Sequence, residues 1–298
     1  MEVWLTQIFN GLNLSAILLL ISLGLSLSFG LMNVINLAHG EFIMVGAYVP
    51  YALQRLSSNL NGMPSPDVSY LLAIPLSFIV AGLAGILVEQ LVIRFLYRRP
   101  LDTLLATWGV GLFLQQFARS IFGAPNVQVE APHWLAGRIV LMTDLVLPLK
   151  RVFILGLVIA CIVGIYFYMY RSSEGLRMRA VMQNREMAAS LGVSTRRVDT
   201  LSFGIGSGLA GVAGCALTLI GPIGPSLGTF YVVDAFIVVI LGGLGQISGT
   251  ILAALIIGML NTVLEFGTTA VVGKVLVFAL VIIFLQWRPA GLIRTRGR

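Results

Sequence analysis

From Val3 to Ala38 the chain carries no Asp, Glu, Lys, Arg or His. A helix needs only about 20 mostly apolar residues to cross a bilayer, and in hydrocarbon every backbone polar group must be satisfied within the protein. An uncharged run of this length therefore commits the chain to helices in lipid, and continued to Leu53 it fits two spans. Composition extends the argument to the whole molecule. Of 298 residues, 58% are hydrophobic and 10% charged, where soluble domains carry about a quarter charged, and the mean hydropathy is +0.96. The first run lacks the basic flank and small-residue cleavage site of a removable signal peptide, so it is expected to stay in place.

The net charge of +7 does not point to nucleic acid, because the basic residues gather at span ends. Arg94, Arg98 and Arg99 form one cluster. Arg171, Arg177, Arg179, Arg185, Arg196 and Arg197 form a second, and Arg288, Arg294, Arg296 and Arg298 a third. By the positive-inside rule all three are cytoplasmic, including the C-terminus. The two cysteines, Cys161 and Cys215, fall inside expected spans and read as small hydrophobes rather than a disulfide or metal ligands.

Between these anchors an all-α polytopic membrane protein of about nine spans (8–10) is expected: 8–31, 34–53, 71–93, 101–121, 151–169, 200–220, a short one at 232–244, 247–264 and 271–287. The short span is kept because parity then places every arginine cluster on one side. The segments around Pro64 and Pro66, the loop 122–150, and Glu265 to Gly273 face the other side. The first four and last four spans then run in opposite senses about a linking fifth. Such inverted repeats put a transport path between the halves, beside broken helices. In each half a Gly-containing helix precedes a break and then an acidic residue: Phe29-Gly30 before Glu41, and Gly221-Pro222-Ile223-Gly224-Pro225 before Asp234.

Polar groups at membrane depth are costly, on the order of 2.5–3.5 kcal/mol for an Asp at a helix centre, so they face protein or a wet path. Asn33, Asn36, His39 and Glu41 in NVINLAHGE are either exposed to a polar solute by a discontinuous helix, or cap and wet an ordinary turn between two spans. One His and one Glu at i and i+2 do not share a helix face, so no metal is implied. Asp234 is a second path candidate, with a helix N-cap as its plainer reading. Thr107, Trp108, Gln115 and Gln116 are candidate path liners, Trp108 equally a packing residue. Glu89 and Gln90 read as a surface pair with Arg94, and Glu265 as peripheral. Gly206 to Gly211 fits a GxGxxG pattern, but no strand precedes it. Gly204 and Gly208, or Gly206, Ala210 and Gly214, instead form small-residue faces for close helix packing. No GxxxxGK[ST] phosphate loop occurs, so any ATP is bound elsewhere.

The segment 170–199 is the longest internal one. Met178, Val181, Met182, Ala188 and Ala189 recur near helical spacing, interrupted by Arg185, and Gly192 is placed to end the helix. Glu186-Met187-Ala188, three residues and Gly192 resemble the coupling sequence of ABC importer permeases, with Met187 as a departure. GLMNVINLAHGEFIMVGAY and DAFIVVILGGLGQISGTILAALIIG resemble the branched-chain amino acid and amide importer permeases, over nearly the whole chain. RRPLDTLLATWGVGLFLQQ, RAVMQNREMAASLGV and AGCALTLIGPIGPSLGTFYVVDAF are most similar to the urea-importing members.

The resemblance implies one permease domain over 1–298, with halves 1–150 and 200–298, in the bacterial inner membrane. It implies a second permease subunit, two cytoplasmic ATPases and an external binding protein as partners, with no cofactor in this chain and no nucleic acid. Arg185, Glu186, Ala188, Ala189 and Gly192 would couple to the ATPase. Urea offers N–H donors and a carbonyl acceptor, which Asn33, Asn36, Thr107 and Gln115 suit. A branched-chain amino acid is the alternative solute; its carboxylate would meet the wrong sign in Glu41 and Asp234, leaving Arg119 as the cation to consider. An intramembrane enzyme using His39 and Glu41 lacks a nucleophile, zinc set or second acid. A self-sufficient secondary transporter would not need the cytoplasmic helix.

Overall fold

The computed structural model describes residues 2–32, 34–59, 66–97, 99–142 and 145–293. Among them the helices are α1 (Glu2–Met32), α2 (His39–Asn59), α3 (Pro66–Leu91), α4 (Pro100–Phe122), α5 (Leu149–Arg171), α6 (Ser173–Gln183), α7 (Arg185–Ser190), α8 (Thr195–Leu217), α9 (Leu227–Gly242), α10 (Ile247–Gly267) and α11 (Ala270–Trp287). The chain is not purely helical. In the loop after α4, strands β1 (Arg138–Met142) and β2 (Leu145–Pro148) pair antiparallel, with Arg138 opposite Pro148.

Six of the described helices, α1, α3, α5, α8, α10 and α11, are long and apolar enough to cross a membrane by length and composition. The remaining expected spans coincide with α2, α4 and α9. The first two are diluted by Glu41, Gln54 and Arg55, and by Asp102, Gln115, Gln116 and Arg119. α9 has 16 residues, about 24 Å at 1.5 Å per residue, less than the roughly 30 Å of a hydrocarbon core. It starts at Leu227 after Ser226, so Asp234 lies in mid-helix and is not its N-cap.

Two helices make the centre. The apolar windows of α1 and α8 are 83% buried, against 17–39% for those of α3, α5, α10 and α11, so the latter present most of their surface outward. Lipid gives helices little hydrophobic reason to associate, and small residues that let backbones touch supply the packing instead. α8 shows this on several sides. Gly206 lies against Gly24 of α1, Gly214 against the Ile43 carbonyl of α2, and Gly208 against Phe78 of α3. Tyr70 Oη donates to the Cys215 carbonyl at 2.7 Å, and Ser77 Oγ to that of Gly46 at 3.0 Å. Both cysteines are free, as expected of small hydrophobes.

The bundle has two ends. At one, Arg185 of α7 reaches the Leu31 carbonyl near the end of α1, and Gly245, just after α9, packs on Gly30. At the other, Gln54 of α2 pairs with the backbone of Glu130, and Val127 bridges Ile223. The expected single cytoplasmic helix is two, α6 and α7, broken at Asn184. Asn184 ends α6 in extended conformation and caps α7 by accepting from the Met187 N–H at 2.9 Å.

Candidate functional site

The chain leaves α1 after Met32, passes through 34–36 without helical structure, and turns back into the bundle. His39, the first residue of α2, is fully buried, with Nε2 3.0 Å from the Ile21 carbonyl. Ile21 lies eleven residues before Met32, about 16 Å along α1. α2 thus begins inside the bundle rather than at its surface, with His39 enclosed by protein and Asn36 capping the turn before it. Asn33 lies outside the described residues. Asn36 holds the break through Oδ1, which accepts from the Ala38 N–H at 3.0 Å. Thr107 holds it from α4, accepting from the Leu37 N–H at 3.2 Å. Thr107 is therefore buried support for the break.

α9 meets α2 at this depth. A Cβ on Gly228 would lie 2.1 Å from the Gly40 carbonyl oxygen, and one on Gly40 2.5 Å from that of Gly228. Only glycine at both positions lets the two first turns touch. From this junction α2 runs to the Gln54 end and the shorter α9 to the Gly245 end, so the two helices start together and diverge. The N–H groups of a helix's first turn lack intrahelical partners and carry partial positive charge, which suits Glu41, in the first turn of α2.

Gln115 of α4 closes the junction. Its Nε2 donates to Glu41 Oε1 at 2.8 Å and to Thr229 Oγ1 at 3.2 Å, using both amide hydrogens. Around it, Asn36 Nδ2, His39 Nδ1 and Glu41 Oε2 are buried without a hydrogen-bond partner. Buried polar atoms are nearly always paired, so these three mark the segment 36–41 as one whose polar groups the described protein atoms do not fully satisfy. Arg119, one turn on from Gln115, is exposed and donates to Gln116 Oε1 at 2.9 Å. Trp108 is 56% exposed and packs on the outside.

Asp234 does not join this cluster. It lies on another face of α9, where Lys274 of α11 donates to its Oδ2 at 3.1 Å. The residue of α9 that stands opposite Glu41 is Thr229, which sequence reasoning missed. The usable signal was Gly228 before it, matching Gly40 before Glu41. Lys274 was missed as well, although a lysine near the start of an apolar helix needs a partner.

At the opposite end of α8, Glu89 is fully buried rather than paired at the surface with Arg94. It accepts from Tyr97 Oη and from Thr200 Oγ1 at 2.7 Å. Burial and this carboxylate hold the Tyr97 phenol well above its ordinary pKa, so it remains a donor. Arg185 makes a two-point ion pair with the buried Asp199, one arm at 3.2 Å. Ala188 is buried against the body, while Glu186, Met187, Ala189 and Leu191 are exposed. Gly192, at φ +83°, ends α7 as expected: the Val193 N–H bonds the Ala188 carbonyl and the Gly192 N–H that of Ala189, both at 3.0 Å.

A buried core helix pair, an outward-facing apolar belt and two helices that start together at a polar junction suit a multi-pass membrane transport protein. The chain belongs to the family described as the branched-chain amino acid transport system / permease component, which it matches over residues 7–285. It is 29% identical to the high-affinity branched-chain amino acid transport system permease protein BraD of Pseudomonas aeruginosa, covering 97% of this chain and 95% of that one. It is 28% identical to a probable branched-chain amino acid transport permease protein LivH of Methanocaldococcus jannaschii, over 93% and 89%. To LivM of Escherichia coli, another permease protein of such a system, it is 26% identical over 94% of this chain and 68% of that one. No solved structure matches the chain. The chain is a transport permease subunit and not an enzyme.

Proposed function

We propose that the chain is one membrane subunit of an ATP-driven importer in a bacterial inner membrane, working with a second permease, two cytoplasmic ATPases and an external binding protein. Its solute passes the junction of α2 and α9. The observation that supports this path is the set of unpaired buried polar atoms on Asn36, His39 and Glu41 where two helix starts meet. Binding sites in transporters built from inverted repeats are typically made by such discontinuous helices. In this reading nine helices cross or enter the membrane, α6 and α7 are cytoplasmic, and α7 docks on an ATPase through Glu186, Met187, Ala189 and Leu191, with Arg185, Ala188 and Gly192 holding it in place.

The near full-length relatives named for branched-chain amino acids favour that solute class. A second reading, urea, is favoured by the junction's chemistry. Gln115, Thr229 and Asn36 are neutral donors and acceptors, Glu41 is the acidic side chain that Gln115 bonds among the described residues, and Arg119 is engaged with Gln116. ATP-dependent uptake of labelled leucine and of labelled urea, in vesicles holding the whole complex with the matching binding protein, separates them. Leucine uptake alone supports the first reading and urea uptake alone the second. Uptake of neither overturns both.

A further inference from the structure

A polar cavity lies on the face of α9 away from Thr229, toward the Gln54 end. It has a volume of about 350 Å³ and is bounded by α9, α10, α11, Leu14 of α1, Asn126 and the turn at 222–226. Small-molecule sites begin near this size. Its floor carries the Asp234–Lys274 ion pair and Asn261, its rim Glu265. Asn261 is 3% exposed, and its Oδ1 has no hydrogen-bond partner. A buried amide oxygen in that state is destabilising unless something donates to it. Lys274 spends one N–H on Asp234 and has two left, because an ammonium carries three. The cavity is thus lined by the Asn261 amide, the Glu265 carboxylate, the Lys274 ammonium as a donor, and an apolar wall of Leu14 and Phe230.

We infer that this cavity is a second solute station. It takes a small molecule with N–H donors beside a carbonyl or carboxylate oxygen, whose N–H groups bond Asn261 Oδ1 and Glu265 and whose oxygen accepts from Lys274. An α-amino acid and urea share that chemistry; the amino acid's aliphatic side chain would lie on the apolar wall. Because Thr229 faces Gln115 while Asp234 and Phe230 face the cavity, α9 separates this station from the α2–α9 junction. The inference rests on the proposed function, that a small polar solute crosses this subunit.

The test is uptake kinetics of labelled leucine and labelled urea by the reconstituted complex, comparing the unsubstituted chain with Asn261→Leu and Lys274→Met. Asn261→Leu replaces the orphan amide with an apolar group of similar size, and Lys274→Arg serves as the conservative variant. Each of Asn261→Leu and Lys274→Met is expected to raise the half-saturating solute concentration about tenfold, with Lys274→Arg recovering most of it and the maximal rate little changed. Which solute responds identifies the occupant. Uptake with unchanged half-saturation in both variants, or an equal loss of maximal rate alone, would overturn the station and leave the proposed function standing. Absence of uptake of both solutes by the unsubstituted complex would overturn the function and this inference with it.

Discussion

Gly40 and Gly228 carry the junction because nothing larger fits. A methyl at Gly228 would meet the Gly40 carbonyl oxygen at 2.1 Å, and backbone cannot give way as a side-chain tip can. Overpacking of this kind costs about 1–3 kcal/mol. Gly228→Ala and Gly40→Ala are each expected to lower the melting temperature of the purified complex and to cut uptake at least tenfold. Gly109→Ala on α4, with open space where the methyl would go, leaves both unchanged. Gln115→Leu removes the donor to Glu41 and Thr229 and leaves a buried carboxylate without its partner; uptake falls more than tenfold while assembly, followed by co-purification, is retained. The polar character of Asn36, His39 and Glu41 was legible in the sequence, since each stands out in an apolar run. Their roles were not, because Ile21, Thr107, Gln115 and Thr229 lie on other segments. Thr229 is one hydroxyl in an apolar helix and carries no local signal beyond the glycine before it.

At the scale of the element, α7 is a short helix fixed from several directions. Asn184 caps its start, Gly192 ends it in left-handed conformation, Ala188 seats it on the body, and Arg185 ties it to Asp199 of α8 and to the end of α1. Its fixed and free faces should fail differently. Met187→Asp, on the exposed face, is expected to abolish co-purification of the ATPase. Asp199→Ala leaves that face intact but releases Arg185; the ATPase should still bind, with solute moved per ATP hydrolysed falling severalfold, as measured by parallel uptake and phosphate release. The helix end at Gly192 was legible from the sequence because only glycine takes that conformation without cost. The break at Asn184 was hidden by apolar residues that keep helical spacing across it. The start of α9 was misplaced because Asp234 reads as a cap, whereas its partner Lys274 stands far along the chain on α11.

For the whole molecule, the scarcity of charge made a helical membrane protein legible, and the arginine clusters marked where most helices end. Which helices touch was not legible, since small-residue contacts such as Gly24 on Gly206 join positions that sequence proximity does not connect. The solute path where α2 and α9 meet is the core of the proposed function. Its most direct test is thiol accessibility in a chain freed of Cys161 and Cys215, with single cysteines at Glu41, Thr229 and, as a buried control, Leu20, fully enclosed in α1. A membrane-impermeant reagent applied to the reconstituted complex through its ATP cycle is expected to modify Cys at positions 41 and 229, more slowly with saturating solute, and to spare position 20. If positions 41 and 229 stay unmodified in every nucleotide state, the path does not run through this junction.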